Sequence, residues 1–264
     1  MNMDWTEKWV DALTKDGVNV RDLRGVLPHK TDTEFMRRDP VKLHGMTLHH
    51  AAIRGNTEKD LVSIARYHVG PNHIAGGGCP GLCYTGAVLG DGTFCLAWNL
   101  NVTTWSQGDG NSKHLGILVL GDFYSPSNPT GFDPTPPQWD SCLQVWRTSA
   151  QVFGWSKNQL FGHFDFGKPA CPGDTLRNLV MDIREGIEPE KMVLLPDLGM
   201  DLPSTARHQK ALEMLGFSPG AVDGIWGPMS KAALARFQAS AGLPVDGVWG
   251  ANTQRAIDAA LKNL

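Results

Sequence analysis

Three separated stretches carry the residue types that could do chemistry together. The pair His49-His50 closes the apolar run Met46-Thr47-Leu48, His163 sits in Phe161-Gly162-His163-Phe164-Asp165, and Cys171 opens Cys171-Pro172-Gly173. Two imidazoles and one thiolate suit zinc, and three protein ligands with a fourth position left to water is the pattern of a catalytic zinc. Neighbouring residues of a strand point to opposite faces, so only one of His49 and His50 faces such a cation, and spacing leaves open which. A rival ligand set, His73, Cys79, Cys83 and Cys95, surrounds the glycine-rich loop 75–83. It could form a structural zinc clip, a Cys79–Cys83 bridge or plain reduced thiols.

The elements that must position these residues alternate between strand and helix. Residues 46–49 read as a strand. Thr57 and Asp60 form a capping-box start for a helix whose Leu61, Ile64, Ala65 and His68 share a face before Gly70-Pro71 stop it. Asp91-Gly92 supplies the turn of a hairpin between strands 84–89 and 93–97, because glycine tolerates the positive φ that tight hairpins need. The apolar run 115–120 reads as a central strand buried on both faces. Pro136-Pro137 opens a helix carrying Trp139, Leu143, Trp146, Ala150 and Phe153, with Gly154 as its stop. The expectation is an α/β domain with a mixed central sheet flanked by helices.

Length and composition bound the rest. With 264 residues, 41% of them apolar and 19% charged, the chain should fold into two domains. A net charge of −3 offers no footprint for a polyanion, so nucleic acid is not an expected partner. No apolar run is long enough to span a bilayer, and the charged N-terminus does not read as a secretory signal, so no membrane insertion is expected. Prolines 189, 196 and 203 mark residues 187–203 as a linker. Beyond it, Val222-Asp223-Gly224-Ile225-Trp226-Gly227 returns as Val245-Asp246-Gly247-Val248-Trp249-Gly250, and each copy precedes a helical stretch. Helices are expected over 204–215, over 229–239, and from Asn252 or Thr253 to Leu261, giving a small all-α three-helix domain over 204–264. Residues 1–42 form an N-terminal extension in which Trp5, Trp9 and Leu13 share one face of a short helix docked on the catalytic domain, 43–186.

Leu48-His49-His50-Ala51-Ala52, followed by Gly162-His163-Phe164-Asp165 and Cys171-Pro172-Gly173, resembles the type 2 N-acetylmuramoyl-L-alanine amidases, the superfamily of amidase-type phage lysozymes and peptidoglycan recognition proteins. The likeness runs over roughly 43–185. It implies that His49, rather than His50, binds Zn2+ with His163 and Cys171. It also implies that Tyr84, at the start of the strand leading to Asp91-Gly92, orients the attacking water. The bond cut would be the amide between N-acetylmuramic acid and the L-alanine of the peptidoglycan stem peptide. Asp165 is a candidate to orient a ligand or hold its loop. The chain departs from the pattern at Pro169, where relatives carry Lys or Thr, which makes Lys168 the candidate to reach the oxyanion. It departs again at Trp105-Ser106-Gln107, where relatives often show Trp-His.

The twice-written Asp-Gly-x-Trp-Gly resembles a three-helix peptidoglycan-binding domain, with Trp226 and Trp249 expected in its core rather than as sugar platforms. The whole then reads as an endolysin-like, monomeric wall hydrolase, made in the cytoplasm without a signal peptide and acting on the cell wall after release. Its competitors are a non-catalytic peptidoglycan recognition protein on the same fold and a regulator holding zinc only structurally.

Overall fold

The computed structural model describes residues 4–73, 76–125, 128, 130–189 and 204–264. Most of the expected linker, 190–203, therefore lies outside the described residues. The chain begins with α1 (Trp5–Lys15) and β1 (Val20–Asp22), continues through β2 (Gly45–His50), α2 (Glu58–Val69), β3 (Gly86–Val88), β4 (Phe94–Leu96) and β5 (His114–Val119), and closes this part with α3 (Pro136–Phe153), β6 (Leu160–Gly162) and α4 (Asp174–Glu185). The six strands form one sheet in the order β1-β4-β3-β5-β2-β6. Among the described strands the β3/β4 hairpin is antiparallel and the other four strand pairs are parallel. Parallel neighbours require helical crossovers, which explains why helices cover both faces.

Side-chain alternation divides the core in two. Leu48, Leu115, Ile117 and Val119 pack with α1, α3 and α4 on one face, whereas Leu118 and Leu120 join Leu61 and Ala65 of α2 on the other. The run expected at the centre of the sheet is there: β5 is buried along its whole length between β3 and β2. Local signals also act as expected. Asp60 accepts from the Thr57 amide at 2.9 Å, Pro136-Pro137 stand at the first turn of α3, and Gly154 ends α3 in the left-handed conformation at φ 70°; the structure adds a Thr135–Gln138 capping box at the start of α3.

The N-terminal segment does more than dock. Trp9 and Leu13 of α1 are fully buried, and the Trp9 indole donates to Ser149 Oγ of α3 at 2.9 Å. The chain then adds β1 to the edge of the sheet, parallel to β4, which three residues without strong alternation did not signal. Among the described residues no helix is long and apolar enough to cross a membrane.

The C-terminal part consists of α5 (Ser204–Met214), α6 (Pro228–Ser240) and α7 (Ala251–Leu261) around Leu212, Leu234, Phe237, Trp249 and Ile257. Trp249 is buried, with its ring stacked on His208 at 3.9 Å, and Trp226 packs partly buried beside it. This part rests on the sheet domain. Arg207 pairs with Asp133, Arg255 pairs with Asp182 of α4, and the Ser204 amide donates to the Gly131 carbonyl at 2.9 Å.

Candidate functional site

Strand register brings the two histidines together. β6 pairs with β2 so that Gly162 lies opposite Leu48, and the residue following each is a histidine, His49 within β2 and His163 just beyond the end of β6. Their rings sit 4.4 Å apart between centroids. Because Leu48 points into the α3/α4 core, His49 points to the α2 face, where it is fully buried. His50 points away, and its Nδ1 accepts from the Phe123 amide at 3.3 Å. Its own amide nevertheless serves the site by donating to Cys171 Sγ at 3.4 Å. The ligand atoms of His49, His163 and Cys171 all lie within 4.8 Å of one another.

The segment bearing His163 and Cys171 is held by its backbone. His163 opens a 3-10 turn, His163–Phe166, that Gly167 ends in the left-handed conformation. Asp165 accepts from the Gly162 amide at 3.0 Å and takes both guanidinium nitrogens of Arg184, at 2.6 and 3.1 Å. Arg184 in turn donates to the Leu160 carbonyl at 2.9 Å, so Asp165 clamps the turn to β6 and α4 and thereby sets where His163 points. Lys168 is exposed, its amide donates to the His163 carbonyl at 3.2 Å, and its charge bears on His163. Tyr84 lies two residues before β3, with its ring 5.1 Å from that of His49.

A residue that sequence reasoning passed over completes the arrangement. Gln107 is 2% exposed, and its Oε1 accepts from His49 Nε2 at 3.1 Å. Asn111 holds the Gln107 and Ser106 amides at 2.8 and 2.9 Å. The loop lies flat on β5 because residue 116 is glycine: a Cβ there would collide with Ser106 Oγ and crowd Gln107 Oε1. The signal was present as the departure at Trp105-Ser106-Gln107, but only the fold shows that this segment overlies His49.

Electrostatics makes these groups apt ligands. Burial, followed by the charge of His163, holds His49 well below the usual histidine range, and burial with Lys168 and His50 depresses His163 to about 4. Both rings are therefore neutral near pH 7. Burial pushes the Cys171 thiol up to about 12, partly offset by the His50 amide, so without a cation it stays protonated. Burial, with Cys171 and Cys83 nearby, raises the Tyr84 hydroxyl and keeps it a donor.

The fit to a metal can be judged on one atom. With Nε2 donating to Gln107, His49 carries its proton there, and Nδ1 is a bare lone pair, fully buried and without a hydrogen-bond partner. An orphaned buried acceptor is costly unless something occupies it. Here it shares a cluster with an imidazole and a thiol, donors that suit zinc. The residues present fit the ion.

The family model described as N-acetylmuramoyl-L-alanine amidase matches residues 37–174, and the model of a putative peptidoglycan binding domain matches 203–257. No curated protein matches the chain. Among solved structures, the endolysin N-acetylmuramoyl-L-alanine amidase LysCS from Clostridium intestinale URNW aligns at 16% identity and TM-score 0.48, covering 64% of this chain and 96% of its own. Bumblebee PGRP-SA aligns at 14% identity and TM-score 0.49, over 62% of this chain and 95% of its own. Human PGRP-IBETAC, solved with a glycosamyl muramyl pentapeptide, aligns at 21% and TM-score 0.48, over 61% and 94%. The amidase model alone spans more than half of the sequence, and with a peptidoglycan-binding module behind it this chain belongs to the N-acetylmuramoyl-L-alanine amidase family.

Proposed function

We propose that the protein is a zinc-dependent amidase that hydrolyses the bond between N-acetylmuramic acid and L-alanine in peptidoglycan, and that it lyses cell walls in the manner of an endolysin. The observation that carries this reading is the orphaned Nδ1 of His49, within 4.8 Å of the ligand atoms of His163 and Cys171. In this reading residues 43–186 are the catalytic domain and 204–264 the wall-binding domain, tethering the enzyme to its polymer and raising the local substrate concentration.

His49, His163 and Cys171 would hold the ion. When bound, zinc acidifies a water from a pKa of about 15.7 toward about 7 and polarises a carbonyl. Gln107 fixes the tautomer and the ring plane of His49, a contact of the kind that tunes metal affinity. The Tyr84 hydroxyl, kept protonated by its surroundings, donates to the oxygen that gains charge as the amide is attacked. Lys168 brings a positive charge to the same edge, where Pro169 supplies no donor. Asp165 acts at a distance, by clamping the turn that aims His163.

Purified peptidoglycan of several cross-link chemistries, incubated with the wild type and with Cys171→Ser, tests this. New L-alanine amino termini should accumulate only with the wild type. Reducing sugar ends without amines would overturn the reading, and wall binding without either product would leave only recognition.

A further inference from the structure

On the far side of Tyr84 lies a second cluster of metal-ligating side chains. The ligand atoms of His68, His73 and Cys83 all fall within 4.8 Å of one another. Cys79, which is not one of these three, has its Sγ 3.4 Å from His73 Nδ1. In tetrahedral zinc, with metal–sulfur and metal–nitrogen bonds of about 2.3 and 2.0–2.1 Å, a sulfur and a nitrogen ligand stand about 3.5 Å apart. We propose that His68, His73, Cys79 and Cys83 form a second, structural zinc site that staples the end of α2 to the loop leading into Tyr84.

The backbone around the cluster is already wrapped for this. His68 ends the buried face of α2, and its carbonyl accepts from the Cys79 amide at 2.6 Å. Its Nδ1 accepts from the Cys83 amide at 3.0 Å, so that nitrogen is unprotonated, as a ligand must be, and the cation replaces this donor. Gly76, Gly77 and Gly78 all have positive φ, and a Cβ on Gly78 would strike the Val69 and Gly70 carbonyls, so the loop packs this closely on the helix end only as glycine. Cys79, Cys83 and His68 are buried, and all five cysteines of the chain are free thiols.

Four protein ligands close the coordination sphere, which makes the site structural rather than catalytic. Cys95, the fourth ligand considered from sequence, instead sits in β4 opposite Ala87, and His68 takes its place. The consequence concerns the neighbouring site. Tyr84 follows Cys83 directly, and its ring lies 5.8 Å from His68 and 5.1 Å from His49. A metal at the second site would fix the backbone that presents Tyr84.

Metal analysis of the protein purified from zinc-supplemented cells decides the matter without reference to activity. We expect two zinc per chain in the wild type, one in Cys171→Ser, one in Cys83→Ser and none in the double variant. An unchanged content in Cys83→Ser overturns the second site, whereas an unchanged content in Cys171→Ser would count only against the first. Should Cys83→Ser fail to fold, the more exposed His73→Ala serves in its place. Cobalt(II) loaded into Cys171→Ser gives a reading that leaves the second cluster intact. A thiolate charge-transfer band supports the proposal; a metal-free chain with Cys79 and Cys83 joined as a disulfide by mass refutes it.

Discussion

In the C-terminal repeats, each buried glutamine organises a loop close to it in the chain. Gln209 Nε2 lies 3.0–3.1 Å from Asp223 Oδ1, the Ile225 carbonyl and Ser230 Oγ, among which its two hydrogens are shared, while its Oε1 accepts from the Gly224 amide at 2.8 Å, 15 residues away. Gln238 repeats the pattern with Asp246, the Val248 carbonyl, Thr253 and the Gly247 amide, 9 residues away. The candidate metal cluster is assembled otherwise, with the His50 amide reaching Cys171 across 121 residues. A short loop around one amide side chain can be written twice in a sequence, because few residues must be ordered to form it. A site drawn from four distant stretches exists only once the sheet register is set. The first arrangement suits a binding module, and the second brings two neutral imidazoles and a thiol close enough together for the cation proposed above.

This contrast can be broken from either side. The largest effect is expected for Cys171→Ser, which should abolish release of L-alanine termini while leaving sedimentation with purified walls within about twofold, since the binding domain shares no ligand with the cluster. Tyr84→Phe should lower kcat about 10²–10³-fold, the usual cost of removing one donor to a developing oxyanion, with zinc content unchanged in metal analysis. Gln107→Leu should weaken zinc binding about 10–100-fold in a chelator competition, because His49 loses the partner that sets its tautomer.

On the other side, Gln238→Ala strips the second repeat of its hub. It should destabilise the C-terminal domain by about 1–3 kcal/mol for each polar group left buried and unpaired, read by thermal unfolding, and reduce wall binding while sparing hydrolysis of a soluble muropeptide. A further effect concerns acid. Burial, opposed by Asp133 and reinforced by Arg207, depresses His208 to about 4. The unfolded chain therefore binds a proton near pH 6.5 that the folded chain refuses until about 4, and stability falls as pH drops through that window by at most about 1.4 kcal/mol per unit. His208→Phe keeps a ring on Trp249 and should flatten the acid limb of the Tm–pH curve.

Much of the architecture was legible because it is locally encoded. The Thr57–Asp60 cap, the Pro136-Pro137 helix start, the glycine stops, the hairpin turn and the unbroken apolar run of β5 each depend on residues a few positions apart. Strand alternation limited the choice to one of His49 and His50, and the family resemblance chose between them. β1 was not legible: a three-residue edge strand has too little pattern to register, and its pairing with β4 is set by α1 docking on α3. Gln107 and Gln238 were missed for a related reason, since a glutamine carries no signal until the partners around it are known.

The order of local elements, the doubled Asp-Gly-x-Trp-Gly turn and the inventory of possible ligands follow from amino-acid type and spacing, through backbone preference and apolar periodicity over short range. Which ligands meet was decided by the tertiary structure alone. Placing Gly162 opposite Leu48 set His163 beside His49, Gly116 let Gln107 lie against His49, and the loop turning back on the end of α2 put His68, rather than Cys95, beside Cys83. Those meetings depend on register and close approach between segments far apart in the chain, and no periodicity within a single segment encodes them.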